Sequence, residues 1–141
     1  MWNLLWPIMT VVAANCLYNI CTKQTPGDVN AFASLSVTYL IASALSVAAF
    51  FLSHAHKSYL QEISRLNWTS IALGLSIVAL EFGYISIYRA GWKVSLGSLV
   101  ANISLACILL FVGLLFYKET LSPKQLLGMA VCVVGLILLG E

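Results

Sequence analysis

The chain has 141 residues, 61% hydrophobic and 9% charged, with a formal net charge of +2. Its mean hydropathy of +0.96 leaves too little polar surface to wrap a core in water, which excludes an ordinary soluble domain and points to an integral membrane protein. The few cations are scattered along the chain, and this excludes a nucleic-acid-binding role.

The amino terminus, MWNLLWPIM, has no Lys or Arg before its apolar run and no small-residue cleavage site leading into a polar sequence. It therefore reads as a first span, over about residues 4–21, and not as a signal peptide. Trp2 and Trp6 mark its outer end, where indole rings favour the interface, and Pro7 falls in its first turn. Asn15, Tyr18, Asn19 and Thr22 form a polar stripe at helical spacing. Two asparagines one turn apart in a span bond to another helix or contact a substrate, and the pattern leaves both roles open.

KQTPGD, Lys23 to Asp28, is a turn carried by Pro26 and Gly27. A second span follows over 31–52, with Ser36, Tyr39, Ser43 and Ser46 on one face, read as a surface for helix packing. In the polar connection from Ser53 to Asn67, the apolar Tyr59, Leu60, Ile63 and Leu66 recur at helical spacing against Lys57, Gln61, Glu62 and Arg65. That pattern predicts a helix lying on the membrane surface over about 56–66. His54 and His56 supply too few ligands for a metal site. The four cysteines, Cys16, Cys21, Cys107 and Cys132, lie in apolar stretches without CxxC spacing and read as small apolar fillers. No metal or cofactor is expected.

The third span, about 68–88, organises the rest of the chain because it carries one carboxylate, Glu81, about 6 Å from the middle of the span. An ionised acid at that depth costs several kcal/mol, so it should face protein or a water-filled cavity and bind protons readily. Ser70, Gly74, Glu81, Tyr84 and Tyr88 share one helical face, and a carboxylate followed by tyrosines suits something cationic or aromatic. The alternative is a structural acid bonded to serines or tyrosines of neighbouring spans.

YRAGWK, Tyr88 to Lys93, is a tight turn containing Gly91, with Arg89, Trp92 and Lys93 as interface anchors. A fourth span covers 94–116, and its stripe of Gly91, Ser95, Ser98 and Asn102 runs in from the same turn. Consecutive spans are antiparallel, so this stripe is expected to face Glu81, with Asn102 as its polar partner. YKETLSP leads into a fifth span over 123–140, with Ser122 as N-cap and Pro123 at the first helical position. Gly128, Cys132 and Gly135 line one side of that helix, a seam read as a dimer interface; the other reading is packing within its own subunit.

Five spans place the termini on opposite sides of the membrane. Lys57, Arg65, Lys118 and Lys124 fall on the amino-terminal side and Lys23, Arg89 and Lys93 on the other. Four against three is almost no positive-inside bias, so insertion in both senses is expected. Two copies of opposite sense form an inverted-repeat pair, with the site near the midplane between them.

The segment Ser86 to Gly140 resembles the end of an EamA domain of the drug/metabolite transporter superfamily: the short turn, the small-residue fourth helix, the Lys118–Pro123 K-E-T-L-S-P turn, then Q-L-L-G and a glycine-rich last helix. The five-span count matches a single EamA repeat, as in the superfamily's five-helix bacterial members. This resemblance implies an all-α integral membrane protein of one transmembrane domain in a bacterial inner or plasma membrane. It also implies a homodimer, or a heterodimer with a related chain, that moves small molecules such as amino acids, metabolites or cationic drugs. More distantly, the last helix is similar to that of the small multidrug resistance family, whose dimer seam uses glycines seven apart, as Gly128 and Gly135 are here. That family carries its proton-binding glutamate in the first span, where this chain has Asn15, so proton coupling here would pass to Glu81.

The sequence thus points to a proton-coupled secondary transporter whose cavity is lined by Asn15, Asn19, Glu81, Tyr84, Tyr88 and Asn102. Two alternatives stay open: a subunit of a flippase for lipid-linked sugars, and a membrane subunit that only binds partners. An enzyme is not expected, since there is no His, Cys and Asp cluster, no second buried acid and no phosphate-cradling glycine loop.

Overall fold

The computed structural model describes residues 2–53, 58–118 and 122–139. Over these residues the chain is all-helical, without a strand: α1 Trp2–Gln24, α2 Ala31–Leu52, α3 Tyr59–Ile63, α4 Trp68–Arg89, α5 Val94–Phe116 and α6 Pro123–Leu139. His54, His56 and Lys57, the centre of the turn at 119–121, and the last residue of the predicted fifth span lie outside the described residues. Among the described residues, four helices are long and apolar enough to cross a membrane: α1 over Leu5–Gln24, α2, α4 and α5. The fifth apolar helix, α6, has 17 residues, at the short end of the range for a span.

Polar punctuation starts and stops these helices. Asn30 accepts a bond from Phe32 N and Asn67 one from Thr69 N, so each asparagine satisfies an amide that its helix leaves open. Ser122 starts α6 with a reciprocal pair, Gln125 N donating to Ser122 Oγ and Ser122 N to Gln125 Oε1, a capping box that makes Ser122 the expected N-cap. Gly91 follows α4 at φ 95°, a left-handed conformation open to glycine and strained for other residues.

The chain divides into two compact units, Met1–Ala90 and Gly91–Glu141. In the first, α4 packs against both α1 and α2. Ala31 and Leu35 of α2 close on Ile85 of α4, and Tyr39 packs against them. The rings of Phe32 and Phe82 stack at 4.9 Å, and Tyr18 meets Tyr84 edge-on at 5.6 Å. Of the face expected to pack on α2, Tyr39 does so, while Ser36, Ser43 and Ser46 are exposed. The reason is local: Ser36 Oγ donates to Ala33 O and Ser46 Oγ to Ala42 O. A hydroxyl satisfied by its own helix needs no partner and does not mark the inward face.

Of the interfacial helix expected over about 56–66, residues 56 and 57 lie outside the described residues, and the helix within the rest is short. α3 spans five residues, and its Tyr59 packs on Phe50 and Phe51 at ring distances of 5.1 and 6.0 Å. Two turns of amphipathic pattern are too few to carry a helix against its nucleation cost, and Asn67 must already begin α4.

At the far end of α4, Arg89 reaches back over the turn between α1 and α2, donating to Pro26 O at 3.1 Å and Val29 O at 2.6 Å. Lys23 donates to Tyr88 O at 3.2 Å, a cation on a carbonyl at the helix C-terminus. Arg89→Ala is expected to release the Lys23–Asp28 turn at a stability cost of about 1 kcal/mol. Limited proteolysis in detergent should then cut within this turn faster than in the parent chain.

In the second unit α5 packs against α6. Gly97 and Gly113 of α5 are buried.

Candidate functional site

Glu81 is half-buried in a cleft of about 120 Å³ within the first unit. Its neighbours on α4 decide where it points. Phe82 and Ile85 turn to α2, and Tyr84 turns to α1. Successive residues are rotated by about 100°, so Glu81 falls in the groove between those two contacts. Tyr18, Cys21, Thr22 and Thr25 form one wall; Ser34, Leu35 and Thr38 form the other, and Ile85 lies on the α4 side.

The hydroxyls of this cleft have a shared polarity. Thr22 Oγ1 donates to Tyr18 O at 2.8 Å, Thr25 Oγ1 to Cys21 O at 3.3 Å and Thr38 Oγ1 to Ser34 O at 3.1 Å. Each threonine has engaged its one proton with its own backbone and presents lone pairs. The hydroxyls of Tyr18 and Tyr39 are buried without a hydrogen bond of full geometry, and both feel the Glu81 charge, Tyr39 from beside the carboxylate. The cleft is therefore acceptor-rich around one acid, an arrangement that suits a cation bearing N–H groups.

A second cavity of about 200 Å³ adjoins it and shares Thr22, Thr25 and Ile85. Gly27, Lys23, Tyr88 and Arg89 complete its lining. Here the Tyr88 ring lies 5.8 Å from the Lys23 ammonium.

The predicted site residues separate into groups. Glu81 lines the cleft. Tyr88 is buried, and its hydroxyl donates to Asn19 Oδ1 across to α1. Asn19, also buried, donates from Nδ2 to Asn15 Oδ1 at 2.6 Å and to Asn15 O at 2.8 Å. Of the two roles left open for the asparagines, this chain of bonds is the helix-bridging one. Tyr84 packs edge-on against Tyr18 and lies 6.2 Å from the Tyr88 ring. It holds the cleft wall in place and does not line the cleft. Asn102 lies in the second unit, where its Nδ2 donates to Ser98 O at 2.8 Å. It edges an apolar groove of about 310 Å³ between α5 and α6 with Ile103, Ala106, Cys107, Leu110 and Cys132. Gly128 and Gly135 have open space where a Cβ would stand.

Sequence reasoning nominated neither Ser34 and Thr38 nor Thr25 and Cys21, which line the cleft, and it placed Tyr18 and Thr22 in a stripe without a role. The signal that could have found the α2 wall is the four-residue spacing Ala31, Leu35, Tyr39, with Ser34 and Thr38 beside it on the same side of the helix. Among the described residues no group of three or more His, Cys, Asp or Glu is placed to hold a metal ion.

The family model of the EamA-like transporter family matches residues 2–140. No curated protein and no solved structure gives a match. The match runs over all the described helices, including the three that build the Glu81 cleft, and its membrane setting agrees with the four long apolar helices. The chain is a multi-pass integral membrane protein that belongs to the EamA-like transporter family, a branch of the drug/metabolite transporter superfamily.

Proposed function

We propose that this protein is a proton-coupled secondary transporter of small polar or cationic molecules, with Glu81 as the group that binds proton and substrate in turn. The observation that carries the reading is the carboxylate of Glu81 within an acceptor-rich cleft of a membrane-spanning transporter-family chain. With Glu81 ionised, the cleft attracts a cation. A proton on the same oxygens removes the charge and releases it. Because the two ligands compete for one carboxylate, substrate leaves as a proton arrives, which is exchange of one for the other. Asn15, Asn19 and Tyr88 hold α1 to α4 beside the site, Tyr84 backs Tyr18, and Asn102 stays a polar group of the fourth span at the edge of the α5–α6 groove.

The working unit in this proposal is an inverted dimer of five-span chains, each a single domain, in a bacterial inner membrane. The contact between copies runs along Gly128, Cys132 and Gly135; the open space beside both glycines supports it. Reporters fused after Glu141, one active on each side of the membrane, test this arrangement. Signal from both is expected. Signal from one alone would exclude the inverted homodimer and leave a related chain of opposite sense as the partner.

The groove between α5 and α6 favours one second reading, a subunit of a lipid-linked sugar flippase, because its apolar lining suits an acyl or isoprenoid tail. That reading requires a second, different chain and a lipid substrate. Proton-driven movement of a water-soluble cation by the purified chain in vesicles would decide against it.

A further inference from the structure

We propose that the Glu81 cleft selects primary ammonium ions and rejects fully substituted ammonium ions of the same charge, an inference that rests on Glu81 being the substrate carboxylate. Coulomb attraction alone does not distinguish these two classes, since both carry one positive charge. The distinction comes from the lining. The Glu81 carboxylate offers two oxygens with about four lone-pair positions. Thr22, Thr25 and Thr38 have their protons on backbone carbonyls, so their oxygens act toward the cleft as acceptors. Tyr18 and Ser34 are the hydroxyl residues of the lining with no such backbone bond, and Tyr39 stands beside the carboxylate, so three hydroxyl protons face the carboxylate and threonine lone pairs. Acceptors therefore outnumber donors until a ligand supplies N–H groups.

A primary ammonium supplies three N–H groups at one point. A trimethylated nitrogen supplies none, so the carboxylate and the threonine oxygens lose water without gaining a bond. The aromatic residues at the cleft are Tyr18 in its lining and Tyr39 beside the carboxylate, two rings and not the full cage with which proteins hold quaternary ammonium. The cleft is small, at about 120 Å³, and open on one side. It admits an ammonium head and leaves the rest of the molecule to the neighbouring space past Ile85.

The test is a titration of the purified full-length protein in lipid nanodiscs with butylammonium and its mono-, di- and trimethylated forms, which keep the tail and the charge while removing N–H groups. Affinity is expected to fall at each step, by about 100-fold or more over the series, as for a site built to hydrogen-bond its substrate. Glu81→Gln is expected to abolish binding of every member. Thr38→Val, which removes one acceptor and keeps the shape, is expected to weaken butylammonium and leave the trimethylated form unchanged, and it supplies a readout even if Glu81→Gln does not fold. Equal or rising affinity with methylation, still lost in Glu81→Gln, would overturn the selectivity and leave Glu81 as the substrate carboxylate. Binding that survives Glu81→Gln, or no binding of any member to the parent protein, would overturn that assignment and this proposal with it.

Discussion

Glu81→Gln is expected to eliminate proton-driven substrate flux in reconstituted vesicles while leaving the oligomer intact by size-exclusion chromatography. Glutamine keeps the shape and one acceptor, so the cleft between Leu35, Thr38, Tyr18 and Ile85 stays filled. What it removes is the charge and the site of protonation. Losing the charged partner of a desolvated cation costs about 2–5 kcal/mol, or about 30-fold or more in affinity. Coupling should vanish altogether, because an amide takes no proton in the working range. The assay is uptake of a small ammonium ion against an imposed pH gradient, compared with uptake down its own gradient. Undiminished pH-driven uptake by the variant would remove Glu81 from the mechanism.

The second large effect is expected at the bond between Asn19 and Tyr88. Both side chains are buried, at 4% and 5% exposure, in a unit that otherwise buries little. Asn19→Leu would leave the Tyr88 hydroxyl without its acceptor and Asn15 without its donor, for a loss of about 1–2 kcal/mol in a membrane helix pair. Tyr88→Phe should cost less, since Asn19 keeps its bonds to Asn15. The double variant should fall short of the sum by about 0.5 kcal/mol or more, the mark of a direct interaction. Thermal unfolding in detergent measures all three. Substrate affinity separates structure from recognition: unchanged binding in Tyr88→Phe assigns the pair to holding α1 on α4, whereas a clear loss would place the tyrosine hydroxyl on the substrate.

How far the site was legible in the sequence follows from what polarity means inside a membrane. A carboxylate has no local way to satisfy itself on a helix, so Glu81 stood out at once, and the structure places it in a cleft. Serine and threonine can bond their own backbone, so their positions say little about which face turns inward. Ser36 and Ser46 advertised one face of α2, yet Ser34 and Thr38 on another line the cleft. Tyr84 and Tyr88 share the Glu81 face by periodicity, but one is taken up by the Tyr18 ring and the other by Asn19. Spacing identifies a shared face; it does not tell which members of the face meet a cavity and which meet a helix. The family likeness was legible in the last two fifths of the chain, from the Ser86–Gly140 pattern and the five-span count, and the family model extends it over residues 2–140.

The described ties to α4 from α1, α2 and the turn between them crowd into the closing stretch of α4: Phe82 with Phe32, Tyr84 with Tyr18, Ile85 with Leu35, Tyr88 with Asn19, and Arg89 with Pro26 and Val29. Mechanically, these ties form a fulcrum. The thirteen residues of α4 ahead of Glu81 are a lever arm of about 20 Å, so a tilt of about 5° swings the Trp68 end by about 2 Å while the carboxylate hardly moves. In the transport mechanism proposed above, the carboxylate that binds the ion would sit where displacement is smallest, and a stroke that opens a path to the bilayer surface would be delivered at the opposite end of the same rod.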